Sequence, residues 1–171
     1  GSARRFPRVA PTISIAVDRS SVLEGGTVVF TVTASAAPVA DLTVNLNVAG
    51  SSTGGVSAVK NNADYPTINN TVVIAAGTTT ATITRQIFTD AVIEDEEDLQ
   101  ISIQQQSFGG TNEAYTLGST SAARVVIPAN GSDLIRTLTI EASTDKVAEG
   151  RSVTLTVKTT VKSNQALDFY V

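Results

Sequence analysis

The 171-residue chain is long enough for one sandwich-sized core and part of another. It contains no Cys, His, Met or Trp, which excludes disulfides, thiolate or imidazole metal sites and Ser/His/Asp or Cys/His catalysis, and leaves oxygen as the ligand for any ion. Sixteen acidic side chains stand against twelve basic ones, with Arg4, Arg5 and Arg8 crowded at the start, so a nucleic-acid partner is disfavoured, and no apolar run approaches the ~20 residues of a membrane span.

Val, Ile and Thr recur throughout, and β-branched residues suit a half-buried pleated surface, so the chain reads as all-β. Residues 1–11 open with Gly1-Ser2 and read as a tag or linker. Alternation then predicts strands through Ile13, Ile15 and Val17, through Val28, Phe30 and Val32, and through Leu42, Val44, Leu46 and Val48. The Gly/Ser/Thr-rich stretch 49–62 reads as a flexible loop. Strands resume at Val72 and Ile74 and at Ile83, Arg85 and Ile87. The run FTDAVIEDEEDLQI at 88–101 then places six carboxylates in nine positions, directly ahead of a strand through Leu99, Ile101 and Ile103. A second uncharged loop at 106–120 precedes the last strand, Ala123, Val125 and Ile127. About seven short strands separated by turn residues predict an immunoglobulin-like Greek-key β-sandwich, without the disulfide and core Trp of antibody domains.

Residues 12–33, TISIAVDRSSVLEGGTVVFTVT, align without a gap to residues 137–158, TLTIEASTDKVAEGRSVTLTVK, at an offset of 125, and Glu24-Gly25 falls on Glu149-Gly150. A period of that length indicates tandem independent domains and not a solenoid. The expected organisation is a complete domain at 12–130, a linker at 131–136, and the N-terminal part of a second, truncated copy at 137–171. Three strands cannot bury two faces alone, so the second copy is expected either to be cut short or to be completed by another chain.

Two readings of the acidic run stay open from charge alone. It is a solvated loop or a gatekeeper beside an apolar strand, or it is one wall of a cation cage. Carboxylates crowded at ~4 Å repel by ~1 kcal/mol even at the dielectric of water, and a bound cation removes that penalty. If the strands on either side of the run are antiparallel neighbours, their connecting loop lies at the same pole as Glu24. Ca²⁺ suits such a site best, since it accepts six to eight oxygens in flexible geometry.

In order along the chain, VLEGGTV at 22–28, ADY at 63–65, AAGTTTATITRQIFTD at 75–90 and AVIEDEEDLQISI at 91–103 resemble the Calx-β domain family, which occurs in sodium–calcium exchangers, integrin β4 and bacterial surface adhesins. The resemblance covers about residues 12–130, and the partial copy repeats its start. It implies Ca²⁺ ligands at Glu24, Asp64, Asp90, Glu94 and Glu97, with Asp98 beside them, and leaves Glu96 to solvent. Calcium-binding members commonly end the last strand in consecutive aspartates. Here the corresponding residues are Ile127-Pro128-Ala129-Asn130, which implies one or two ions and not a larger cluster.

The expectation is therefore a non-enzymatic Ca²⁺-binding module of a tandem cell-surface or secreted protein, bacterial and adhesin-like in character, whose partners are neighbouring domains. The alternative is a metal-independent β-module that assembles through self-association or strand complementation by residues 137–171. No catalytic constellation emerges beyond carboxylates, and no aromatic sugar cleft accompanies them.

Overall fold

The computed structural model describes residues 9–55, 63–90, 92–105, 114–130, 138–159 and 162–163. In chain order its strands are β1 (Thr12–Val17), β2 (Thr27–Ala34), β3 (Leu42–Ala49), β4 (Gly54–Gly55), β5 (Tyr65–Pro66), β6 (Thr71–Ile74), β7 (Thr80–Gln86), β8 (Val92–Ile93), β9 (Glu97–Gln104), β10 (Thr116–Leu117), β11 (Ala122–Ile127), β12 (Leu138–Ala142), β13 (Leu155–Thr159) and β14 (Lys162–Ser163). Among the described residues no helix is long and apolar enough to cross a membrane. Two compact units divide the chain. One runs up to Thr89 and resumes from Glu97 to Pro128; the other comprises Asp90–Glu96 and the chain from Ala129 onward.

The first unit is an all-β sandwich. One sheet has the order β10-β1-β2-β7 and the other β11-β9-β3-β6. Alternation decides which side chains meet between them, because successive residues of a strand point to opposite faces. Ile13, Ile15, Val28, Phe30 and Val32 from the first sheet pack with Val44, Leu46, Leu99, Ile101, Val125 and Ile127 from the second, all 5% exposed or less. Burying a side chain of this kind contributes roughly 1.5–3 kcal/mol each before chain entropy is counted.

β1 pairs antiparallel with β2 in the register Ile13↔Ala34 to Val17↔Phe30. The chain then leaves this sheet and its next residues lie along β11. Ser21 bridges Val126, Val22 N–H donates to the Val126 carbonyl at 2.9 Å, and Val126 N–H donates to the Ser20 carbonyl at 2.9 Å. The edge of β11 is thereby covered, which removes one open template for aggregation.

Two sequence expectations need correcting. β7 and β9 are not neighbours in one sheet; they belong to opposite sheets, so the acidic segment is a connection from one sheet to the other. The stretch 106–120 is also not wholly a loop. Residues 106–113 lie outside the described residues, but Thr116–Leu117 pair in parallel with β1, and Tyr115 is fully buried. Its hydroxyl donates to the Gln104 carbonyl at 2.5 Å and accepts the Asn45 N–H at 3.0 Å. A phenol can occupy the core because both of its hydrogen-bonding roles are satisfied there.

In the second unit, β12 and β13 pair antiparallel in the register Leu138↔Thr159 to Ala142↔Leu155. Shifted by 125, this is the β1–β2 register. The bonds around the pair repeat too. Asp18 N–H donates to the Val29 carbonyl at 3.0 Å, and Ser143 N–H to the Thr154 carbonyl at 2.8 Å. Val29 N–H reaches Asp18 Oδ1 at 2.9 Å, and Thr154 N–H reaches Ser143 Oγ at 3.0 Å. Gly25 and Gly150 both take φ of 77°, the left-handed region that suits a residue without Cβ.

Candidate metal centre

The candidate acids lie before β5, in the segment between β7 and β9, and at the start of β9. Asp64 immediately precedes β5, whose Tyr65 and Pro66 pair in parallel with Gly54 and Gly55 of β4. Its backbone is held on both sides: the Asp64 N–H donates to the Thr53 carbonyl at 2.7 Å, and its own carbonyl accepts the Phe88 N–H at 2.7 Å. The Thr53 N–H also donates to Asp64 Oδ2 at 2.5 Å. One carboxylate oxygen is thus fixed by the backbone before any ligand arrives. Asp64 is 8% exposed.

Glu97 opens β9 and is half-buried, and Glu94 lies three positions earlier at 9% exposure. One carboxylate oxygen from each of Asp64, Glu94 and Glu97 lies within 4.8 Å of the other two. A buried carboxylate is costly unless it is paired or coordinates a cation, and Glu94 and Glu97 are kept near each other by the short peptide between them. The oxygens offer the hard ligand set that Ca²⁺ takes, and the chain's lack of His and Cys is unfavourable to Zn²⁺.

Among the described residues the other predicted ligands, Glu24, Asp90 and Asp98, are not members of this group. Glu24 is half-buried in the turn before β2, and Asp90 is half-buried after β7. Asp95 and Glu96 are exposed. Asp98 has a different set of partners. Its Oδ1 accepts the Ser51 N–H at 2.9 Å and the Ser51 hydroxyl at 3.0 Å, and its Oδ2 accepts Arg124 Nε–H at 2.7 Å. The Ser51 backbone bond, then the Arg124 and Ser51 side-chain bonds, hold its carboxyl down at about 2. Its carbonyl meanwhile accepts the Ser52 hydroxyl at 2.6 Å. Asp98 ties β9 to the 50–52 turn, which carries on to the β4–β5 ladder behind Asp64.

Tyr65 belongs to the core at 3% exposure. Burial pushes its hydroxyl above the ordinary phenol value, the neighbouring Asp64 charge adds to this, and a hydrogen bond with Ser52 opposes it. Gly54 makes room for the ring, since a Cβ there would stand 2.8 Å from Tyr65 Cε2. Sequence reading missed Ser51, Ser52, Thr53 and Gly54, which lie in a stretch read as a flexible loop. The available signal was Asp64-Tyr65 itself: an acid beside a large aromatic needs a backbone to bond the one and a space to accept the other.

Asn130 stands after the last strand of the sandwich, and its Oδ1 accepts the Glu94 N–H at 2.7 Å. A neutral amide therefore approaches the acidic segment where the resemblance leads one to expect a carboxylate.

No family model matches the sequence, and no curated protein matches it. Solved structures do. CBD12 from CALX1.2 aligns with a TM-score of 0.50 at 14% identity, covering 68% of this chain and 44% of that one. The apo-form Calx CBD1 domain gives 0.47 at 13% identity, covering 68% and 96%, and the Calx CBD2 domain gives 0.45 at 11%, covering 70% and 88%. The chain spans less than half the length of the CALX1.2 structure, and at such identity the likeness to it is one of fold.

Proposed function

We propose that residues 12–130 form a non-enzymatic Ca²⁺-binding module in which Asp64, Glu94 and Glu97 supply the carboxylates, with Glu24 and Asp90 on the flanking turns drawn in as further ligands. The observation that carries this reading is the approach of three carboxylate oxygens, two of them from buried residues, to within 4.8 Å of one another. Support also comes from the ordered Calx-β-like motifs and from the sandwich fold. The module belongs, in this reading, to a tandem-domain protein of the bacterial surface or its secretions, where ion binding stiffens the loops at a domain junction.

No step of covalent chemistry is involved. Asp64 is preorganised by Thr53 and Phe88, and a bound cation lowers the free energy of the folded state by mass action. Calorimetric titration with Ca²⁺ tests the reading. Asp64→Asn, Glu94→Gln and Glu97→Gln are each expected to weaken binding at least tenfold, about 1.4 kcal/mol, and to abolish the calcium-dependent rise in melting temperature. Absence of both heat and melting shift with the unaltered chain would sink it.

A second reading is assembly through residues 137–171. It is favoured by the apolar face of β12–β13 and its connection: Ile140, Val147, Val153 and Leu155 are 58%, 49%, 40% and 57% exposed, whereas Ile15, Val22, Val28 and Phe30 at the equivalent positions are 3% or less. Light scattering decides it. If the whole chain self-associates and a chain ending at Asn130 does not, this face is the cause; identical monomers remove the reading.

A further inference from the structure

β7 carries a charged residue where its alternation calls for an apolar one. Ala81, Ile83 and Arg85 of β7, with Ile87 just beyond it, point to one face, and Ile83 and Ile87 are buried there while Arg85 is half-buried. An arginine so placed must satisfy its donors locally. It does so without an acid: among the described residues no carboxylate pairs with it. Its Nε–H donates to the Pro66 carbonyl at 3.0 Å, Nη2–H to the Thr67 carbonyl at 3.0 Å, and Nη1–H to the Thr84 carbonyl at 2.7 Å.

Pro66 and Thr67 follow directly on Asp64-Tyr65, and residues 64–67 run between β4 and β7. Toward β4, the Asp64 N–H bonds the Thr53 carbonyl and the Thr67 N–H bonds the Gly55 carbonyl at 3.2 Å; toward β7, the Asp64 carbonyl accepts the Phe88 N–H. That last bond cannot continue along β7 as an ordinary ladder, because Pro66 has no N–H to give. The planar guanidinium supplies the missing bonds, its fork reaching two successive carbonyls. We propose that Arg85 is a positioning residue for the cation site: by clamping Pro66 and Thr67 to β7 it keeps the bond between Asp64 and Phe88 closed and fixes where the Asp64 carboxylate stands. Resting on the reading of Asp64, Glu94 and Glu97 as that site, this role reverses the sign that charge alone would give. A positive group bonded two residues from Asp64 opposes cation binding, so removing it would tighten binding if Arg85 acted only as a charge. Removing a clamp weakens binding.

The whole chain is compared with Arg85→Gln and with Arg85→Lys, which keeps the charge and loses the fork. Amide hydrogen exchange in the absence of calcium sets Phe88 against Ile87, whose N–H donates on the other side, to the Gly26 carbonyl at 2.8 Å. Both variants are expected to speed exchange at Phe88 roughly tenfold and to leave Ile87 unchanged, a local opening that a general loss of stability would not give. Calcium titration is expected to show roughly tenfold weaker binding by both. Unchanged or tighter binding in either variant, or an unaltered Phe88, overturns the proposal. Equal acceleration at Phe88 and Ile87 overturns it too, since Arg85 would then serve only the stability of the fold. If Arg85→Gln does not fold, Arg85→Lys carries both readouts. A flat titration of the unaltered chain overturns the cation reading, and the exchange comparison still decides whether Arg85 sets Asp64.

Discussion

Gly50 and Asp98 show how single residues prepare the candidate site. Gly50 takes φ of 115°, and a Cβ there would overlap the Asp98 carbonyl oxygen. Gly50→Ala is expected to destabilise the fold by about 2–4 kcal/mol through strain and displacement of β9, read as a lower urea midpoint. Asp98 predicts a pH dependence. Its carboxyl lies near 2 against an ordinary 3.8, so its stabilising contribution is complete above the unfolded value and is lost as pH falls through 3.8 towards 2. Asp98→Asn should lower the urea midpoint at neutral pH and flatten its decline over that acid window; an unchanged acid limb would refute the assignment. In the sequence Asp98 is one of six similar acids. Its partners Ser51 and Arg124 are 47 and 26 positions away, and local charge pattern carries no trace of them.

At the scale of elements, alternation located the seven long or medium strands of the first unit because both sheets bury one face, so a period of two is imposed on each. It could not say that β7 and β9 lie in opposite sheets, because crossing between sheets leaves the alternation of both strands unchanged. Two-residue strands such as β4, β5 and β10 are too short to show a period at all. The acidic segment is the connection that makes this crossing from one sheet to the other, and Glu97 starts β9. Tyr115 does comparable work at the stretch leading into β10, where its hydroxyl joins Asn45 of β3 to Gln104 of β9. Tyr115→Phe removes one donor and one acceptor while keeping the ring, and is expected to cost about 1–3 kcal/mol. Thermal unfolding would show it, and an unaltered melting temperature would mean that these bonds are replaced by water without loss.

For the molecule as a whole, the repeat was legible from residues alone, since Glu24-Gly25 and Glu149-Gly150 share one offset with the apolar alternation around them. The structure extends that likeness to pairing register and individual hydrogen bonds. The difference between the copies is burial: Phe30 is fully buried and Leu155 is 57% exposed. Of the candidate site, the acidic residue type was legible but not the grouping. Sequence order proposed six acids, and the geometry draws three of them together, because only folding decides which turns meet and which acids are taken by neighbours. The central claim is that these three hold calcium. Its most direct test is the melting temperature of the unaltered chain across a calcium titration, beside that of Glu97→Gln. The account predicts a saturable rise for the first and none for the second; two flat, superimposable curves up to millimolar calcium would contradict it.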